Sequence, residues 1–237
     1  MKIVIVSDLH ANLAAVEALP ESHYDQLWCI GDLVDYGPRP REVIRWVQHC
    51  ADVVVRGNHD HAVGYDVDPQ CSPPFRRLAA ETRRFTQSVC SGGEISFLRD
   101  LPEQREVYAD GTSFYLVHAV PTDPLFGYCP ETSERWKKEI AWIQADVLVV
   151  GHTHTPFIRA VNQTTIVNPG SLGQPKTGRP DACYAVWEDG QISLKEYRYP
   201  VRETINQIRA MPVSPEDQEG LITALESGSP IIQPQRA

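Results

Sequence analysis

Five short apolar runs in this chain each end in residues able to bind a metal ion, and that repetition constrains the fold more than any other feature. Lys2–Val6 leads into Ser7-Asp8-Leu9-His10, residues 27–30 into Gly31-Asp32, and residues 53–55 into Arg56-Gly57-Asn58-His59-Asp60. Residues 114–117 are followed by His118, and residues 147–150 by Gly151-His152-Thr153-His154. Most of the runs are rich in β-branched residues, and they are continuous rather than alternating, the pattern of strands buried on both faces. Helical patterns lie between them: residues 14–19, where Asn12 is placed to cap the start; residues 41–48, with Pro40 near the first turn; and residues 133–143. Strands alternating with helices predict an α/β fold with a largely parallel sheet. Ligands of such sheets bind at the carboxyl ends of the strands. All five clusters are therefore expected at one edge.

The later half changes character. Residues 156–161, 164–167, 182–188 and 191–197 read as strands joined by short turns, with Glu188-Asp189-Gly190 marking a tight hairpin. This predicts a second, more antiparallel sheet, packed face to face with the first and flanked by helices. Residues 61–101 interrupt the pattern. They contain a helix over 74–89 whose less polar stripe is Leu78, Thr82, Phe85 and Val89, and they read as a cap inserted into a domain spanning 1–210. Its Arg76, Arg77, Arg83 and Arg84 either attract a phosphorylated substrate or form a solvated face. The remaining stretch, 211–237, reads as a helix over 215–225, with Ser214 as cap and Pro215 in the first turn, followed by a frayed tail.

The clusters supply seven oxygen and nitrogen donors: Asp8, His10, Asp32, Asn58, His118, His152 and His154. That is too many for one tetrahedral zinc and suits two ions. Mixed carboxylate and imidazole points to two divalent transition metals (Mn, Fe, Zn or Ni) rather than an all-oxygen magnesium or calcium site. Asp32 is the best candidate to bridge them. Two such ions roughly 3.5–4 Å apart clamp an in-line displacement at phosphorus and make hydroxide available near neutral pH. Singly, an Asp-x-His, a Gly-Asp or a histidine after a strand is weak. Gly-Asn-His-Asp and Gly-His-Thr-His are rarer, and the set in this order is the signal. A net charge of −9 argues against broad nucleic-acid or anionic-membrane binding. It would also repel a phosphate, unless a bound cation draws it in. The six cysteines form no C-x-x-C pair, as in buried thiols of a reducing compartment. No signal-peptide core and no apolar stretch of ~20 residues is present, so a cytoplasmic location is expected.

This order of motifs, over roughly residues 1–200, resembles the calcineurin-like metallophosphoesterase superfamily. The resemblance implies a four-layer αββα sandwich. It places Asp8, His10, Asp32 and His154 on one metal, and Asp32, Asn58, His118 and His152 on the other. His59 matches the histidine that contacts the substrate and helps the leaving group depart. Asp60 would orient His59, or else cap a helix or turn. The stretch from Gly31 to Pro38, Asp123-Pro124-Leu125 and Asn168-Pro169-Gly170-Ser171 look like a group of small prokaryotic phosphoesterases. The phosphoprotein phosphatases, and the symmetrical diadenosine tetraphosphatases similar to them, carry a phosphate-holding Arg where Tyr36 stands. The implied activity is hydrolysis of a small phosphodiester or phosphomonoester by a metal-bridging hydroxide, with no stable nucleic-acid complex and no membrane partner. Alternatives are a dinucleoside polyphosphate hydrolase of the same superfamily and a non-catalytic metal-binding scaffold. Tyr36, Arg39 and Arg56 are candidates to support the ligands or touch substrate.

Overall fold

The computed structural model describes residues 1–229, which build two five-stranded mixed sheets stacked face to face. The first sheet has the order β10-β9-β1-β2-β3, from strands Lys2–Val6 (β1), Gln26–Cys29 (β2), Val53–Val54 (β3), Ala182–Glu188 (β9) and Gln191–Tyr197 (β10). The second has the order β4-β5-β6-β8-β7, from Gln104–Ala109 (β4), Thr112–Val117 (β5), Val147–Val149 (β6), Phe157–Val161 (β7) and Thr164–Asn168 (β8). In each sheet three strands run parallel, β1-β2-β3 and β5-β6-β8, and antiparallel strands complete the sheet.

Alternate side chains of one strand serve different cores. Ile3 and Ile5 of β1 point between the sheets, while Val4 and Val6 point to the helices outside. This is why the run is continuously apolar. Trp28 and Trp187 of the first sheet both meet Phe114 of the second edge-to-face, at 4.9 and 5.1 Å between centroids, and key the sheets together. The outer face of the first sheet is covered by α1 (Leu13–Glu17), α2 (Pro40–Cys50), α7 (Val201–Ile208) and α8 (Pro215–Ser227). Asn12 caps α1 and Ser214 caps α8, as their positions predicted. The cap segment comprises α3 (Asn58–Tyr65), α4 (Arg76–Val89) and α5 (Gly92–Asp100), with a 3-10 turn at Pro73–Phe75. Leu78, Ala79 and Leu98 from the cap join the same core as Leu221 and Leu225 of α8.

Two expectations are corrected, and one strand was not foreseen. Strands β9 and β10 do not belong to the second sheet; β9 pairs antiparallel with β1, a long-range choice that local periodicity does not encode. The helix expected over 133–143 is a single turn, Trp136–Glu139 (α6). Only Trp136, Glu139 and Ile140 of that stretch are buried, and the fourth layer of the sandwich is mostly irregular chain. Strand β4 was missed because it is an exposed edge with little apolar character; its Asp110-Gly111 turn, with both residues at positive φ, was the available signal. The helices α3, α5 and α7 were also unforeseen. The tail expected after α8 lies outside the described residues.

One buried carboxylate ties the cap to the body. Glu94 accepts from the backbone N–H and hydroxyl of Ser91 at 2.7 and 2.9 Å, and from Nε of Arg41 and Arg45 on α2 at 3.1 Å each. Burial opposes its charge, but the Ser91 and Arg41 bonds outweigh it and hold its pKa below the usual value. A depressed folded-state pKa gives stability that is present above the unfolded value of ~4.3 and lost as pH falls through the folded value. Glu94→Gln should therefore cost about 1–2 kcal/mol at pH 7, read from denaturant unfolding, and less towards pH 3.

Candidate metal centre

The carboxyl ends of β1, β2, β3, β5 and β6 do meet, and they bring all seven expected donors into one cluster, buried except for the half-buried His152. Two groups form around a shared carboxylate: Asp8, His10, Asp32 and His154 in one, and Asp32, His118 and His152 in the other, with donor atoms within 4.8 Å of one another in each. The amide oxygen of Asn58 joins the second group, 3.2 Å from Nε2 of His118 and 3.1 Å from Nδ1 of His152. Its amide nitrogen donates to the Pro69 carbonyl at 2.7 Å, which turns the oxygen inward. Asp32 lies at the junction. Its Oδ1 accepts from the His59 backbone at 2.9 Å, while Oδ2 lies 3.2 Å from His118 Nε2 and 3.8 Å from His10 Nε2.

Carbonyl acceptors fix the imidazoles. Nδ1 of His10, His118 and His154 lies 3.0, 2.6 and 2.6 Å from the carbonyls of Val34, Ile30 and Gln174. A carbonyl only accepts, so each Nδ1 carries the proton and each Nε2 turns inward. Nε2 of His10 and His154 then lie 3.1 Å apart, and Nε2 of His154 lies 3.2 Å from Asp8 Oδ1. That oxygen is buried and accepts no hydrogen bond among the described residues. Burial drives His10 and His152 down to about 3 and His154 well below its usual value, so these rings are neutral. Burial likewise pushes Asp8 up to about 7. Lone pairs from two neutral imidazoles and an orphaned carboxylate oxygen facing one point are unfavourable alone and suit a divalent cation. The second group differs: burial opposes charge on His118, but Asp32 outweighs it and holds the ring up at about 9. A proton there neutralises Asp32 where a cation would.

The backbone is bent to make this arrangement. Of 13 non-glycine residues with positive φ among the described residues, eight lie in these loops: Asp8, His10, Ala11, Asp32, Asp35, Tyr36, His152 and His154. Left-handed conformations at such residues cost energy and cluster at functional sites. Gly57 and Gly151 permit the close approach, since a Cβ on either would overlap Asp32 Oδ1 or Ser7 Oγ. A sixth strand end, that of β8, braces the rest. Asn168 Nδ2 donates to the Gly151 carbonyl at 2.6 Å, and Ser171 Oγ to the Asp8 carbonyl at 2.7 Å.

The role considered for Asp60 as the partner of His59 is corrected. Its carboxylate accepts from the backbone N–H groups of Asp32, Leu33 and Gly57 at 2.8, 2.8 and 2.9 Å, so it acts as a cap that joins two loops. The carboxylate at His59 is Asp35, whose Oδ2 lies 2.9 Å from Nδ1 while its Oδ1 accepts from Thr86 at 3.0 Å. Burial opposes charge on His59, but Cys71, Asp32 and Asp35 outweigh it and lift it well above the usual value. Asp35 was missed because a carboxylate three residues past Asp32 reads as loop polarity.

A cleft of ≈ 220 Å³ opens over the cluster, with Asp32, Asn58, His59, His152 and His154 on its floor and Phe75, Phe126, Tyr128 and Lys176 among its walls. None of the cap arginines lines it. Arg77 pairs with Glu216 and Asp217, and Arg84 with Glu81. Arg39 pairs with Glu42, and Arg56 holds the Arg99 carbonyl and Glu103. Of those three further candidates only Tyr36 reaches the cleft, its hydroxyl 3.3 Å from Cys71 Sγ.

An Asp/His/Asn cluster at the strand ends of a two-sheet α/β sandwich, open to a cleft beside a carboxylate-held histidine, is the arrangement of a metallophosphoesterase. Residues 1–189 match the calcineurin-like phosphoesterase superfamily domain, and the chain belongs to that family. The crystal structure of a metallophosphoesterase from Sphaerobacter thermophilus is similar, with a TM-score of 0.79 and 29% identity over 96% of this chain and 100% of that one. Phosphodiesterase YfcE of Escherichia coli K12 is 27% identical over 209 residues, 82% of this chain and 91% of that protein. A symmetrical bis(5'-nucleosyl)-tetraphosphatase of Vibrio cholerae is 35% identical over 101 residues, 41% of this chain and 35% of that enzyme. No helix among the described residues is long and apolar enough to cross a membrane.

Two measurements follow. Adding Mn or Zn to chelator-treated protein, at about a hundred times its Kd, should raise Tm by roughly 5–10 °C; an unchanged Tm contradicts a metal centre. Asp60→Ala strands three amides and should cost about 3 kcal/mol while weakening metal uptake.

Proposed function

We propose that the protein is a phosphoric ester hydrolase working with two divalent transition-metal ions (Mn, Fe, Zn or Ni), and that its substrate is a small phosphodiester or phosphomonoester. The observation that carries this reading is Asp32, which belongs to both donor groups on the floor of the cleft, with His59 beside it. Asp8, His10, Asp32 and His154 would hold one ion, and Asp32, Asn58, His118 and His152 the other. When bound, the ions supply positive charge for the phosphoryl oxygens and acidify water.

The chain's own residues do the rest. Asp32 holds the two donor groups in register, and the carbonyls behind His10, His118 and His154 keep their Nε2 atoms turned inward. Asp35 fixes His59 through Nδ1, which directs Nε2 to the cleft, where Cys71 Sγ lies 3.3 Å away. From there His59 donates a proton to the leaving oxygen. Phe126 and Tyr128 offer the organic part of the substrate an aromatic wall. The YfcE relationship favours a phosphodiester. The match to the tetraphosphatase supports a second reading, a dinucleoside polyphosphate. The complete donor set and His59 count against a non-catalytic scaffold. The six free cysteines support a reducing, cytoplasmic setting.

The test is metal analysis followed by assay of phosphomonoesters, cyclic and linear phosphodiesters and dinucleoside polyphosphates under Mn, Ni and Zn. His59→Gln should lower kcat about 100-fold or more with metal content unchanged, whereas Asp32→Asn should lose metal. Equal metal loss in both variants contradicts the division of roles. No turnover of any ester by the metal-loaded protein favours the scaffold.

A further inference from the structure

Among the described residues, the cleft over the metal cluster is lined by one ammonium and no guanidinium. The ammonium is Lys176, and the β8 loop fixes its place. Gln174 offers its carbonyl to His154 Nδ1 at 2.6 Å, and the Lys176 backbone N–H donates to the His154 carbonyl at 3.2 Å. The segment thus grips a metal-cluster residue from both sides before sending the Lys176 side chain into the cleft. Its Nζ sits 5.0 Å from the centroid of Phe75, a buried ring on the cap's 3-10 turn. Lys176 therefore spans from the body of the protein to its cap, across the mouth of the cluster.

No carboxylate lies within ion-pair distance of Lys176 among the described residues, whereas Arg39, Arg56, Arg77 and Arg84 each have one. A half-buried ammonium without an ion-pair partner is costly to hold. The Phe75 ring face compensates only part of that cost. Tyr36, across the cleft, contributes no charge, its hydroxyl being turned to Cys71. The Asp8 and Asp32 carboxylates act on Lys176 through space without pairing, and an anionic ligand would supply the close counter-charge.

We propose that Lys176 is the specificity-determining anion clamp of this site, binding phosphate oxygens of the substrate directly and accounting for recognition of a phosphorylated ligand by an otherwise acidic protein. The clamp rests on the hydrolase reading, because it presumes that a phosphate reaches the cleft. Lys176 binds the phosphate in ground and transition states alike, so its loss falls chiefly on KM.

The experiment uses the full chain loaded with Mn, with inorganic phosphate as the probe, titrated calorimetrically and as a competitive inhibitor of aryl phosphate hydrolysis. Lys176→Gln should weaken phosphate binding and raise KM by roughly tenfold or more, with metal content and Tm kept. Lys176→Arg should recover most of the loss. Lys176→Gln that binds phosphate as the wild type does, or that loses phosphate only together with metal, overturns the clamp and leaves the hydrolase reading standing. A metal-loaded wild type that neither hydrolyses esters nor binds phosphate overturns both.

Discussion

The Asp60 carboxylate holds the site together. By accepting three amides, from Asp32, Leu33 and Gly57, it satisfies donors at the end of β2 and at the start of α3 with one buried group. Those N–H groups point inward from loops that have left their strands, and no sheet partner is available to them. Without the carboxylate, each would be a buried unpaired donor. With it, Asp32 and Asn58 are carried on one rigid unit, and His59 follows from the helix that begins there. Asp32 and Asn58, two of the donors proposed for the metals, are thus positioned by a residue outside the donor set.

The second sheet supplies its donors under a different constraint. His118 and the His152–His154 loop stand on strands that pack against the first sheet only through side chains, so their position relative to Asp8 and Asp32 depends on the stacking of the sheets. The interlocked Trp28, Phe114 and Trp187 rings fix that stacking from within the sandwich. Direct ties close the gap at the site: His118 Nδ1 to the Ile30 carbonyl, and the His152 backbone to Asp8 at 3.1 Å. Sheet registry and donor geometry are consequently one problem.

Much of this was legible in the sequence. A buried parallel strand must be apolar on both faces, and its carboxyl end must hand over abruptly to polar residues, so all five runs and the seven side chains that meet beyond them could be read directly. What could not be read depends on pairing across the chain. Nothing local says that β9 returns to β1, and β4 is too exposed to show a pattern. Asp60 and Asp35 illustrate the limit at the site. Asp60 adjoins His59 in sequence while Asp35 lies 24 residues before it, yet the path of the backbone gives His59 to Asp35 and the amides to Asp60. Lys176 was missed for a related reason: it follows no apolar run, and one lysine among the chain's 22 basic residues carries no signal until its surroundings are known.

The left-handed residues around the cluster bear on how this protein can change. At Asp8, His10, Asp32, His152 and His154 a glycine would relax the backbone and remove a side chain proposed to hold metal. Stability and activity therefore compete at single positions in these loops. Stabilising substitutions compatible with activity lie elsewhere, in the helices and the thinly covered face of the second sheet. Ala11 is the exception. It is left-handed yet, unlike Asp35, which holds His59, and Tyr36, which lines the cleft, brings no donor and touches neither, so a glycine there can recover stability without disarming the site.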